Sequence, residues 1–358
     1  MKEDFKGFAR LIRSNPDFRR LWISHMISLI GDWLSYIAVA VISVERGEGA
    51  LAVALVFLAH TLPTALVSPI AGPLADRIDR KTLLVAGYIG ASLLTFAMWG
   101  AALDGGVWLL QSILFLRVSM SGVAITARSA AIPSIVGRED LGLANALLGL
   151  TWSVMFTLGL SLGGFATEYL NPSGAIFLDA LTFLLAASIA AKLPDLEPRY
   201  DKDGAPKPGL KDMMKVWRFL TQRPRLQSTV LSKMSLSLAN GGTWVTLNLI
   251  AGERLSPMTL AIALGVMQSF RAIGTGLGPL LPPRIIRRDP LVGFLLALGG
   301  MALFLSFDAT WTSLFGLFLW GAGQGHNWVI STAEMQANTP ESMMGRVSSI
   351  DFFLLSLG

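Results

Sequence analysis

Long apolar runs separated by polar connections dominate this sequence. Ten such runs lie at about 18–44, 51–72, 82–102, 107–129, 142–166, 173–192, 225–250, 258–282, 290–307 and 311–335, and 347–358 reads as the opening of an eleventh. At ~1.5 Å per residue, runs of this length match the ~30 Å hydrocarbon core of a bilayer. Lipid offers no partner to a backbone N–H or C=O, so such segments cross it as helices, which close their own hydrogen bonds. Only 15% of the residues are charged, against about 25% in a soluble domain. The expected class is therefore an all-α, polytopic membrane protein.

The connections carry the orientation. Basic residues crowd into alternate ones: Lys2 to Arg20; Arg77, Arg80 and Lys81; Arg128 and Arg138; the stretch from Lys192 to Arg225; Arg284, Arg287 and Arg288; and Arg346. These hold 24 of the 29 Lys and Arg residues, the intervening connections hold only Arg46 and Arg254, and Arg117, Lys233 and Arg271 lie inside runs. Positive charge stays on the cytoplasmic side, so the N-terminus is expected there, in a multi-pass protein of the cell (inner or plasma) membrane. The basic balance then points to anionic headgroups of membrane lipids and to no nucleic acid. Four parts follow: an N-terminal cytoplasmic or interfacial segment at 1–17, a six-helix bundle at 18–192, a charged linker at 193–224, and an incomplete second bundle at 225–358. Within the first part Phe5, Phe8, Leu11 and Ile12 share one helical face, which suits a short helix lying among headgroups until Asn15-Pro16 breaks it. Nothing at the start reads as a cleaved signal peptide.

Between the second and third runs stands Gly72-Pro73-Leu74-Ala75-Asp76-Arg77-Ile78-Asp79-Arg80-Lys81. The end of the second run, Gly72-Pro73-Leu74, recurs as Gly278-Pro279-Leu280 at the end of the eighth, again ahead of a basic turn. This loop resembles the signature loop of the major facilitator superfamily, roughly G-x-L-A-D-R-x-G-R-K, with Asp79 where the family usually has Gly. The resemblance implies the 6+6 pseudo-two-fold fold, here with ten full spans and the start of an eleventh, so that most of helix 11 and all of helix 12 are missing. It also implies a conformational latch built from Gly72, Asp76, Arg77 and Arg80, with Asp76 as acceptor and Arg77 or Arg80 as donor. The segments from Asn15 to Trp22, Arg128 to Asn145 and Gln336 to Val347 are similar to the enterobactin-exporter-like branch. Gly159-Leu160-Ser161-Leu162-Gly163-Gly164 resembles the family's antiporter motif, G-P-x-x-G-G, but with Leu160 in place of Pro.

An ionisable side chain inside a span is costly and marks function. Asp32 lies near the middle of the first run and Arg117 near the middle of the fourth, so a reversible Asp32–Arg117 pair, opened by protonation of the acid, is the expected coupling element. A fixed structural pair, or an Asp32 that only faces water, is the plainer alternative. Trp33, Gln111, Asn248, Arg271, Gln324 and His326 are candidates for the substrate cavity, although helix–helix hydrogen bonds explain such residues equally well. Asp179 reads as closing a turn near the outer interface, and Lys233 as snorkelling to the inner one. Without cysteine, and with His25, His60 and His326 far apart, no metal site is expected. No hydrolase, zinc-protease or phosphate-loop motif is present, so the chain is expected to be no enzyme and to need no cofactor. The family implied is a secondary transporter, a monomer that exports a small amphipathic molecule against protons. A lysophospholipid or lipid flippase of the same fold, and a non-transporting membrane scaffold, are the alternatives.

Overall fold

The computed structural model describes residues 2–46, 49–75, 78–104, 106–196, 217–280 and 289–339, together with Val347, Asp351 and Leu354. The chain divides into two compact units, Met1–Lys207 and Pro208–Gly358. The first holds α1 (Lys2–Ser14), α2 (Pro16–Glu45), α3 (Gly49–Ala75), α4 (Arg80–Asp104), α5 (Val107–Ile135) and α6 (Leu141–Ala190). The second holds α7 (Pro224–Arg254), α8 (Leu260–Leu277), α9 (Pro290–Ser306) and α10 (Thr310–Asn338). By length and composition, five stretches of described helix can cross a membrane: Pro16–Glu45, Arg80–Leu103, Val107–Ile135, Leu143–Ala190 and Leu260–Leu280. The other spans are shorter apolar helices or, in α7 and α10, carry buried polar residues such as Lys233, Asn240 and Asn327.

The helix boundaries follow local chemistry. Asn15 caps α2, its Oδ1 accepting from the Phe18 amide at 2.9 Å, and Pro16 takes the first helical position, where no N–H is needed. The Asn15 carboxamide also donates to Ile135 O at 2.9 Å, tying the α1–α2 junction to the end of α5. The apolar face of α1 packs in part on the first unit. Leu11 is buried, Phe8 and Ile12 pack on the same cluster, and Gly7 lies against Leu143. Part of that face is thus covered by protein, because the start of α6 offers it an apolar partner. Helix α5 also runs further than its apolar run, through Pro133 to Ile135. A proline so near a C-terminus forfeits only one hydrogen bond of the final turn.

Helix α6 turns back on itself at Asn171, whose φ of 60° is the one positive value at a non-glycine position among the described residues. Asn171 Oδ1 accepts from the Gly174 amide at 2.9 Å and the Ser173 hydroxyl at 2.6 Å, capping the second arm, and Pro172 begins it. Both arms pack on α2. The first runs alongside it, with Trp22 on Thr151 and Ile37 on Gly163, and the second returns, with Thr182 beside Gly31. A Cβ on Gly163 would sit 2.8 Å from Trp33 O, so the family-like glycines do buy close backbone approach even without the proline.

In the second unit the packing is tighter still. A Cβ on Gly321 would lie 1.9 Å from Arg271 O and one on Gly325 would lie 2.0 Å from Thr275 O. There α10 meets α8 backbone to backbone.

Candidate functional site

Three helices of the first unit place charge at one point. Arg117 reaches from the middle of α5 to Asp32 of α2 (Nη1 to Oδ1, 2.6 Å) and to Asp179 of the second arm of α6 (Nη2 to Oδ2, 2.6 Å). Arg117 Nη2 also donates to Ser35 Oγ at 3.0 Å, and the guanidinium carbon stands 4.8 Å from the centroid of the Phe183 ring. The glycine before Asp32 makes the meeting possible, since a Cβ on Gly31 would come within 2.2 Å of Asp179 Oδ1. Arg117 and Asp179 are fully buried, whereas the Asp32 side chain keeps 19% of its surface exposed. Asp32 is thus the one member of the trio with accessible surface.

The sequence brings Asp32 to Arg117 and the structure agrees, but Asp179 was misread. It closes no interfacial turn; it is the second carboxylate on the buried guanidinium. Its signal was a lone acid in an otherwise apolar run. Trp33, next to Asp32, packs against the Phe156, His60 and Tyr36 rings at centroid distances of 4.7, 5.3 and 6.0 Å. Its indole N–H is buried with no hydrogen-bond partner among the described residues. Gln111, earlier in α5, donates to Ala52 O at 2.7 Å and Ser43 Oγ at 3.1 Å, and so ties α5 to α3 and α2.

Of the expected latch, Gly72 falls within α3, and Asp76 and Arg77 lie outside the described residues. Arg80 is buried and donates to Ser134 Oγ at 2.6 Å, near the end of α5. Asp79, the departure from the family pattern, caps α4: it accepts from the Thr82 amide at 2.7 Å and hydroxyl at 2.9 Å, and from the Leu196 amide beyond α6. Partial burial works against its charge, but the bonds from Thr82 and Leu196 and the nearby Lys81 outweigh this and hold its pKa below the ordinary carboxylate value.

The second unit buries Arg271 by other means. Its guanidinium carbon lies 3.8 Å from the centroid of the Trp244 ring and 5.1 Å from that of Trp320, while Nε donates to Gln268 Oε1 at 3.0 Å and Nη1 to Gln324 Oε1 at 3.2 Å. Arg271 and Gln324 therefore do meet. Asn248 donates to Trp244 O at 2.8 Å within its own helix, and His326 is packed where α9 crosses α10, against Gly293. Lys233 does not snorkel. It is 2% exposed, with its ammonium 2.7 Å from Asp351 Oδ2 and 3.1 Å from Thr332 Oγ1. A carboxylate 118 residues away satisfies it, a pairing no local pattern announces.

Comparison with known proteins fits this architecture. A family profile described as "Major Facilitator Superfamily" matches residues 21–358. The uncharacterized MFS-type transporter YkuC of Bacillus subtilis is 24% identical over a match covering 78% of this chain and 69% of that protein. The enterobactin exporter EntS of Escherichia coli O1:K1 is also 24% identical, over 95% of this chain and 82% of the relative. Among solved structures, a bacterial homolog of the human lysosomal transporter Spinster, inward-facing and unoccupied, superposes with a TM-score of 0.70 at 17% identity, covering 96% of this chain and 80% of the other. A peptide transporter POT superposes with a TM-score of 0.73 at 13% identity, over 96% and 86% of the two chains.

Proposed function

The chain belongs to the Major Facilitator Superfamily, is a membrane transporter and not an enzyme, and on that premise we propose that it exports a small amphipathic compound by alternating access, driven by protons. The observation that carries this reading is the single guanidinium of Arg117 between two carboxylates. Fully ionised, the trio holds an excess negative charge in surroundings that penalise it. One proton on a carboxylate neutralises the excess, and the partly exposed Asp32 is the acid that receives it. Protonation weakens its hold on Arg117, leaves Asp179 as the sole counter-ion, and so frees α2 to shift against α5 and α6. That is a two-state element biased by a proton, as coupling requires.

Export as the direction is supported by the likeness to an enterobactin exporter, with the N-terminus cytoplasmic as the basic connections require. Trp33 in the first unit and Arg271 with Gln324 in the second are the side chains we assign to substrate contact; Gln111, Asn248 and His326 serve helix packing. The loop carrying Asp79 and Arg80 is assigned the latch. The test is dye efflux from everted vesicles under an imposed pH gradient, comparing the natural chain with Asp32→Asn. Proton-dependent efflux is expected to drop in the variant to the level of vesicles lacking the protein, while an unchanged rate rejects Asp32 as the coupling acid.

A further inference from the structure

A second buried titratable group lies on the same face of α2 as Asp32, about two turns nearer the N-terminus and so ~10 Å along the axis. It is His25, 4% exposed, with the equally buried Ser28 between the two. On α5 the residues Arg117, Ser121 and Arg128 likewise share one face. Arg128 Nη1 contacts His25 Nδ1 at 2.5 Å. A guanidinium has donors only, so Nδ1 is the acceptor and the neutral imidazole carries its proton on Nε2. Ser121 Oγ, between the two arginines, is buried with no hydrogen-bond partner among the described residues. Helix packing alone asks for none of this: an amide would accept from Arg128 as well and would never titrate.

We propose that His25 is a second proton station for the proton exchanged at Asp32, and that Arg128 gates it. The proposal rests on the proton-coupled reading above. A proton leaving Asp32 passes along the Ser28 and Ser121 hydroxyls once Ser28 turns from the His25 carbonyl, to which it now donates at 2.9 Å, each hydroxyl giving up its own proton as it takes one. It arrives at His25 Nδ1 only once Arg128 has withdrawn. The imidazolium then releases the Nε2 proton toward the N-terminal end of α2 and is neutral again with its tautomer exchanged. Only O–H and N–H bonds form and break. While Arg128 occupies Nδ1, as here, the station is closed. The charged and titratable groups placed near His25 and Asp32 by neighbouring helices are Arg128 and Arg117 from α5, Asp179 from α6 and His60 from α3, with Tyr88 of α4 beside Arg128; α1 adds Arg10 and Arg13 nearer the N-terminal end of α2.

The experiment uses the full chain in lipid nanodiscs. Histidine labelled with 15N reports the state of each imidazole, with His25→Gln assigning the signal, and infrared spectroscopy follows the Asp32 carboxylic acid after a pH jump. Gln keeps an acceptor for Arg128, so folding is preserved, but it carries no proton. We expect an unprotonated Nδ1 in the natural chain and, in Arg128→Gln, a His25 midpoint higher by about one pH unit or more, a tenfold gain in proton affinity. We also expect the Asp32 acid to lose its proton about tenfold more slowly, or slower still, in His25→Gln after a jump to higher pH. A His25 that stays neutral throughout acidification of Arg128→Gln, or an Asp32 acid signal that decays at an unchanged rate in His25→Gln, overturns this proposal alone. No Asp32 signal in the natural chain overturns the coupling reading and this one with it.

Discussion

Each unit buries an arginine, and the two are held differently. Arg117 sits between the carboxylates of Asp32 and Asp179; Arg271 sits between two indole faces and the carboxamide oxygens of Gln268 and Gln324. Carboxylates titrate and carboxamides do not. The shell around Arg117 therefore has a chemical handle for protons, whereas the described partners of Arg271, two indoles and two amides, offer none. The difference teaches that burial of a cation is not in itself a sign of coupling; the counter-groups decide what the cation does.

The sharpest way to break this comparison is to delete each arginine. Arg117→Leu strands two buried acids, and we expect it to cost about 3–5 kcal/mol of stability. Arg271→Leu removes the hydrogen bonds to Gln268 and Gln324, and we expect about 1–3 kcal/mol. Thermal unfolding of the purified variants measures both, and equal losses would mean that the two shells are energetically alike.

Glycine contacts give the next largest effect. Gly321→Ala drives a methyl into the Arg271 carbonyl, which cannot rotate away, and we expect about 1–3 kcal/mol of destabilisation by the same measurement. Gly31→Ala meets the side chains of Thr182 and Asp179, which can turn. Its loss of stability should be the smaller of the two, and its damage should appear in proton-dependent efflux instead.

The smallest effect lies at the loop. Asp79→Ala removes the α4 cap and should cost about 1 kcal/mol. Because the folded pKa of Asp79 is held below its unfolded value, the carboxylate's contribution is complete above about pH 3.9 and is lost as pH falls through the lower folded value. The gap between natural and variant chains should thus hold steady near neutrality and close only in strong acid.

The positions of the spans were legible because lipid imposes one simple filter, apolar and about twenty residues long. Asp32 and Arg117 were legible for the converse reason, being charges at mid-depth in such runs. Asp179 escaped because a place some six residues into its run suggests a helix end, whereas the second arm of α6 brings it to the level of Gly31. Asp351 escaped as a partner for Lys233 because contacts between distant helices leave no local period. His25 escaped because no local pattern marks it, and Arg128 meets it from another helix. Asp79 looked like a tolerated exception to a glycine position, and only the geometry of the Thr82 and Leu196 amides shows that it is a cap.

The central claim, that Asp32 and not Asp179 takes the proton, has one direct measurement: the infrared carboxylic-acid signal that develops as the purified protein is acidified. The account predicts a signal that vanishes in Asp32→Asn and survives in Asp179→Asn. A signal untouched by Asp32→Asn, or lost only in Asp179→Asn, would contradict it.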